Sequence, residues 1–341
     1  MKALVLDGPG LASVQQVNDP APQTGEVVLQ IRRVGLCGSD LNSYRGKNPL
    51  VSYPRIPGHE ISATIVDNSR LNELSQRSFP SGADVTLSPY NACGRCLPCI
   101  NQRPNACQFN ETLGVQRDGA LAEYLAISPG KLFSANLNLK ELCLVEPLTV
   151  GFHAVARGGV TRDDTVAIFG CGGVGLGALA AASFRLARVI AVDVDDAKLA
   201  LAVKAGAHET INTAREPLHE KLQELTSGHG PEVIIEAIGL PQTFRAAVEE
   251  VAFIGRVVYI GYTKEPVAYE TRLFVQKELH ILGSRNALPD DFREVIKMLE
   301  AHRFPVEETV THMASIDQAP QVLKAWSENP AAFSKIMIVL N

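Results

Sequence analysis

The run Gly170-Cys171-Gly172-Gly173-Val174-Gly175 constrains this chain more than any other six residues. The spacing G-x-G-x-x-G is common alone, and its surroundings make it informative here. Thr165–Phe169 precedes it with the apolar, β-branched character of a buried strand. An alanine-rich stretch follows, expected to be a helix over Gly173–Leu186. A second strand, Arg188–Val192, then ends at Asp193. Strand, glycine turn, helix, strand and acid form the order that cradles a dinucleotide. The glycines let a pyrophosphate approach the backbone, and the helix N-terminus presents N–H groups and a partial positive charge. Gly170, Gly172, Gly173, Val174 and Gly175 are therefore candidate pyrophosphate contacts. Asp193 lies 18 residues past Gly175, where an acid reaches the adenosine ribose hydroxyls. The same carboxylate repels a 2′-phosphate, and no arginine follows it closely, so NAD is expected rather than NADP. Lys198 is a second candidate for the ribose.

The alternation continues beyond this motif. Helices are expected over Asp195–Ala205 and Gln242–Val251, and strands over Glu232–Ala237 and Arg256–Ile260. Such alternation implies βαβ units and a parallel sheet. The first 150 residues differ: Val27–Ile31 is a β-branched run, and prolines at 20, 22, 49, 54, 57, 80 and 89 leave little room for long helices. Arg70–Ser81 is polar and reads as a surface excursion. Phe292, Val295, Ile296 and Leu299 fall at helical spacing, and the chain ends in an apolar strand, Ile336–Leu340. That strand is expected to rejoin the first domain. The expected architecture is thus α/β, with a Rossmann-type unit (151–289) inserted into a β-rich domain (1–150 and 290–341).

The chain carries 37 acidic and 32 basic residues, a formal net charge of −5. That balance argues against affinity for nucleic acid or anionic membranes. Val166–Phe184 is uncharged over 19 residues, about the length that crosses a bilayer. Five glycines in its first twelve positions make strand, turn and buried helix the better reading. After Met1-Lys2 only Ala3–Leu6 is apolar before Asp7, so no signal peptide is read and a cytoplasmic protein is expected.

Four of the seven cysteines crowd into one loop as Cys93-x-x-Cys96-x-x-Cys99, then Cys107. Four thiolates at this spacing wrap one ion with no position left open, which is a structural zinc site; an iron–sulfur cluster is the competing occupant. Four thiolates on Zn²⁺ leave a net −2, and Arg95 and Arg103, with backbone N–H groups, are candidates to offset it. Elsewhere Cys37-Gly-Ser39-Asp40 and Gly58-His59-Glu60 supply a thiolate, an imidazole and a carboxylate about 20 residues apart. Beside a dinucleotide fold they point to a catalytic zinc.

With Glu146-Pro147-Leu148 these motifs form an ordered set, and the chain resembles the zinc-dependent medium-chain alcohol dehydrogenase superfamily. The resemblance is to its polyol branch of sorbitol, L-idonate and L-galactonate dehydrogenases. It implies a GroES-like catalytic domain around the Rossmann unit, two zinc ions per chain, NAD, and a homodimer or homotetramer. It implies Cys37, His59 and one of Glu60 and Glu146 as catalytic zinc ligands. One thiolate and one carboxylate neutralise Zn²⁺, whereas a second carboxylate weakens it as a Lewis acid. The two glutamates are therefore expected to alternate. Asp40 corresponds to the acid that orients the zinc-bound histidine, and Ser39 to the hydroxyl that relays the substrate proton. Departures from the family are Asn42, where many relatives have a relay histidine, and residues 67–82, unlike the usual glycine-rich turn. Arg285, in a segment resembling a family loop near the active-site cleft, is a candidate clamp for a sugar-acid carboxylate. Tyr44 and Gln116 are candidate hydroxyl contacts. The expected reaction is oxidation of a secondary hydroxyl in a polyol or sugar acid. The alternatives are an L-threonine 3-dehydrogenase-like enzyme, an inactive NAD-binding sensor, and a zinc-ribbon binding module.

Overall fold

The computed structural model describes residues 1–340. The chain divides into two compact units: Met1–Glu146 with Val306–Asn341, and Pro147–Pro305.

The second unit is built on a six-stranded parallel sheet. Its strands run in the order Glu209–Asn212, Arg188–Asp193, Thr165–Phe169, Val233–Glu236, Arg256–Tyr259, His280–Gly283. That is the doubly wound order, with its reversal between Thr165–Phe169 and Val233–Glu236. The central strands are buried on both faces, which is why they read as apolar runs rather than alternating ones. Phe169, Ile190, Ile211, Leu222 and Val257 share one core with Ala247 from the helix Pro241–Glu250. The uncharged run at 166–184 resolves into Thr165–Phe169 and the helix Gly173–Phe184, whose residues from Gly175 to Ala182 are all buried. Among the described residues no helix is long and apolar enough to cross a membrane.

The first unit holds a sheet ordered Val310–Ser315, Lys335–Val339, Val27–Leu36, Glu60–Asp67, Asp84–Leu87, Leu132–Ser134, with Tyr124–Ile127 pairing to Val27–Leu36 off this path. The terminal strand pairs antiparallel with Val27–Leu36, setting Ile336 opposite Leu36; Glu60 lies opposite Gly35 on the other side. The terminal strand therefore joins a sheet formed mainly by residues 27–134. Leu4, Leu29, Ile31, Ile61, Ile65 and Ile338 are among its fully buried core.

Two features depart from expectation. The return to the first unit comes at Val306 rather than 290. The amphipathic helix Pro289–Glu300 packs its apolar face within the second unit, where Phe292 is fully buried and Asp291 Oδ2 meets His153 Nδ1 at 2.9 Å. The second is a 19-residue helix, Leu139–Arg157, which carries Pro147 inside it. The proline obscured it in sequence, because proline in a helix interior removes one intrahelical bond. The polar stretch 70–81 contains a short helix, Glu73–Ser78, with no buried residue.

Candidate active site

The dinucleotide turn follows its local chemistry. Gly170 has φ +93°, a left-handed conformation that favours glycine, and a Cβ on Gly175 would lie 1.8 Å from the Gly170 carbonyl oxygen. Gly170 therefore makes the turn and Gly175 lets the helix close onto it. Gly172 and Gly173 are exposed, and a Cβ at either would meet nothing within 4 Å. They open the 12-residue helix Gly173–Phe184, and Val174 follows half-buried. An open glycine step at a helix N-terminus fits a pyrophosphate.

Asp193 is only 7 % exposed. Its Oδ2 accepts the N–H of Cys171 at 2.8 Å, and its Oδ1 accepts those of Val194 and Asp195 at 2.8 and 3.1 Å. The acid thus braces the glycine turn itself, a task beyond the ribose contact expected of it. Lys198 Nζ lies 4.0 Å from Asp193 Oδ1 with its side chain 48 % exposed.

The four-cysteine loop brings one sulfur each from Cys93, Cys96, Cys99 and Cys107 within 4.8 Å of one another. The N–H groups of Cys93 and Phe109 each donate to the Cys107 sulfur at 3.3 Å. The N–H of Arg95 holds the Cys93 thiol pKa below its ordinary value. Arg95 therefore acts on a sulfur through its main chain; its side chain is exposed. A pocket of four thiol donors ringed by N–H groups fits a structural zinc.

The second cluster is assembled by the sheet of the first unit. Cys37 caps the helix Gly38–Tyr44 at the end of Val27–Leu36, and His59 and Glu60 stand at the start of the neighbouring strand. Their donor atoms lie within 4.8 Å of one another. Glu146, buried on the helix Leu139–Arg157, is close enough for its charge to act on His59, and Glu60's charge acts on it. Tyr90 OH donates to Glu146 Oε1 at 2.5 Å. Burial, opposed by His59 and reinforced by Glu60, pushes the Glu146 carboxyl up to about 7. Glu60 is gripped by Lys335, whose Nζ donates to its two oxygens at 2.7 and 2.8 Å.

Asp40 is buried and stands beside His59. Its Oδ2 accepts the N–H of Cys37 at 2.9 Å and its Oδ1 the N–H of Gly58 at 3.2 Å. Its Oδ1 lies 3.8 Å from His59 Nδ1, which finds no hydrogen-bond partner among the described residues. Asp40 thus ties together the two backbone segments that carry Cys37 and His59. It attracts the imidazole without bonding it. Burial disfavours charge on His59, yet Asp40 and Cys37 outweigh it and hold its pKa well above the ordinary value. Ser39 Oγ is buried nearby in sequence with no partner among the described residues. A thiol, a buried imidazole, a carboxylate and an unpartnered hydroxyl form a donor set that fits a catalytic zinc.

The remaining candidates fall elsewhere. Tyr44 packs in the apolar core of the first unit. Gln116 Oε1 accepts the N–H of Thr112 at 2.8 Å, which commits its carbonyl to a local turn. Asn42 is exposed. Arg285 is exposed in the segment after the strand His280–Gly283. Lys335 and Tyr90 were not anticipated. The only trace of Lys335 in sequence is a lone lysine at the head of an apolar strand.

Residues 23–136 match the alcohol dehydrogenase GroES-like domain, and residues 173–301 match the family described as zinc-binding dehydrogenase. The chain is 32 % identical to an uncharacterized zinc-type alcohol dehydrogenase-like protein of Haemophilus influenzae, covering 99 % of this chain and 98 % of that one. It is 29 % identical to the L-galactonate-5-dehydrogenase of Escherichia coli K12, covering 92 % and 91 %. Among solved structures, the RspB alcohol dehydrogenase of Escherichia coli CFT073, complexed with NADH, superposes with a TM-score of 0.91 at 28 % identity, covering 100 % and 99 %.

Proposed function

Because the chain belongs to the zinc-dependent medium-chain alcohol dehydrogenase superfamily, we propose that it oxidises a secondary hydroxyl of a sugar acid or polyol and passes the hydride to NAD. The observation that carries this reading is the cluster of Cys37, His59 and Glu60 donors within 4.8 Å, with the buried Ser39 Oγ two residues from Cys37. When bound, zinc supplies the Lewis acidity that acidifies a hydroxyl, and NAD supplies the hydride acceptor.

The protein's own groups do the rest. Cys37 and His59 would hold the metal, with Glu60 and Glu146 as the two carboxylates that share the remaining ligand role. Asp40 fixes the spacing of the two ligand-bearing segments. Ser39 Oγ accepts the hydroxyl proton and passes it outward, to water where relatives carry a histidine and this chain has the exposed Asn42. Cys93, Cys96, Cys99 and Cys107 hold the structural zinc. Gly170, Gly172, Gly173, Val174 and Gly175 receive the pyrophosphate. Asp193, with Lys198 beside it, takes the adenosine ribose and disfavours a 2′-phosphate, which supports NAD over NADP.

A sugar acid is favoured over a neutral polyol by Arg285, whose guanidinium suits a carboxylate, and by the similarity to an L-galactonate dehydrogenase. A homodimer or homotetramer is supported by the strand His280–Gly283, an exposed edge of the six-stranded sheet with Ile281 40 % exposed. Cysteine thiols in both clusters require a reducing compartment, which favours the cytoplasm.

The test is NADH formation at 340 nm with NAD and a panel of L-galactonate, L-idonate, D-gluconate, sorbitol, galactitol and L-threonine, with and without a chelator. Chelator-sensitive turnover of a sugar acid is expected. Arg285→Lys should raise KM for that acid about tenfold and leave sorbitol unchanged, since lysine loses the bidentate fork. Equal effects on both would remove the clamp. Turnover of L-threonine alone would replace the substrate class.

A further inference from the structure

Lys335 is the buried charge that neither motif nor spacing announced. The sheet register explains how it arrives. Val27–Leu36 lies between the terminal strand and Glu60–Asp67, so Lys335 and Glu60 approach the Leu36 end of that strand from opposite sides. Lys335 Nζ contacts both Glu60 oxygens, at 2.7 and 2.8 Å, and the Leu36 carbonyl at 3.4 Å. The side chains are 9 % and 1 % exposed. A Cβ on Gly35 would lie 2.0 Å from Glu60 Oε2, so the absence of a side chain there is what leaves space for this carboxylate.

The charge count at the catalytic cluster changes accordingly. Three anions, from Cys37, Glu60 and Glu146, against Zn²⁺ leave −1; the Lys335 ammonium brings the sum to zero. Two carboxylates can then serve one metal without turning the site anionic. An ammonium on both oxygens also competes for the lone pairs that Glu60 would give a metal.

We propose that Lys335 is a positioning residue of the catalytic zinc site: it holds Glu60 back as a shared carboxylate and so limits the negative charge the ligands donate to the metal. This rests on the zinc reading above. It makes a prediction opposite in sign to that of a merely structural lysine. Removing a structural support loosens the metal, whereas removing a competing cation tightens it.

The test begins with zinc per chain in the purified wild type. Two ions uphold the catalytic site; one ion overturns that site reading, whatever Lys335 does. Zinc release to a chromogenic chelator is then followed, alongside the visible spectrum of protein substituted with Co²⁺ at the catalytic site. In Lys335→Met, zinc release is expected to slow about tenfold, because a unit charge is lost a few ångströms away. The Co²⁺ absorption is expected to weaken as Glu60 becomes a full ligand. Lys335→Arg should behave within about threefold of wild type, since it keeps the charge. In a Glu60→Gln background, Lys335→Met should have no further effect, because the two act as one pair. Lys335→Gln, which keeps polar contacts without charge, serves the same comparison if the methionine variant does not fold. Faster or unchanged zinc release on loss of the charge, or the same effect with Glu60 already replaced, would overturn the proposal.

Discussion

The two cysteine-bearing clusters of the first unit are built in opposite ways. The four-cysteine cluster takes all its donors from residues 93–107, and main-chain N–H groups surround its sulfurs. The mixed cluster draws Cys37, His59–Glu60, Glu146 and Lys335 from four separate stretches, and side chains answer side chains. A donor set contained in one loop has little sheet to hold it, so a metal there stabilises the loop. A donor set brought together by strand pairing is positioned by the fold, so a metal there adds chemistry rather than shape.

The largest expected effect breaks that comparison if it comes out reversed. Cys107→Ala should lose one zinc and cost on the order of 3–5 kcal/mol of stability, a value typical of a lost structural metal. Cys37→Ser should lose the other zinc, keep Tm nearly unchanged and lower kcat/KM by roughly a thousandfold or more, since Lewis-acid assistance is worth several kcal/mol. Metal content, calorimetry and turnover on the same preparations decide it.

A glycine pair sharpens the contrast. Gly35→Ala places a methyl 2.0 Å from Glu60 Oε2. It should cost about 1–3 kcal/mol, as overpacking does, and dislodge Glu60 from Lys335. Zinc at the mixed site should change its release rate while zinc in the loop does not. Gly94→Ala, in the loop, meets nothing within 4 Å but carries φ +73°. It should cost about 1 kcal/mol through backbone strain alone and leave both zincs in place. Equal metal loss in the two variants would erase the distinction.

The smallest effect concerns the two cysteines outside both clusters. Burial pushes the Cys171 thiol up to about 12, and burial likewise raises Cys143 far above the ordinary range. Alkylation at pH 8 after zinc removal should therefore label Cys93 and Cys96 first, since both thiols are held below the ordinary value, with Cys99, Cys143 and Cys171 lagging. Mass spectrometry of the labelled peptides reads the order; prompt labelling of Cys171 would show the dinucleotide turn more open than its packing implies.

What was legible in sequence follows the same division. The six-residue glycine turn, the strand before it and the acid after it are contiguous, and the strand Thr165–Phe169 ran as read. The N-cap at Asp195 is also local: its Oδ1 accepts the N–H of Ala197 at 2.8 Å. The four cysteines were legible because ligand spacing within a loop is itself a sequence pattern. Where side chains act through contacts with distant segments, the reading was incomplete. Asp40 braces backbone as well as standing 3.8 Å from His59, Tyr44 joins the core, and Asp193 turns part of its carboxylate toward its own glycine turn.

The sequence by itself determined the α/β class, the dinucleotide turn and the four-cysteine loop, because each rests on residue types at short, fixed intervals. Tertiary structure alone decided that the chain returns to its first unit at Val306, that Tyr90 answers Glu146, and that Lys335 meets Glu60 across the Leu36 end of a shared strand. Those are consequences of register between strands far apart in the chain. Spacing along the sequence cannot encode register, whereas backbone pairing and the missing side chain of Gly35 do.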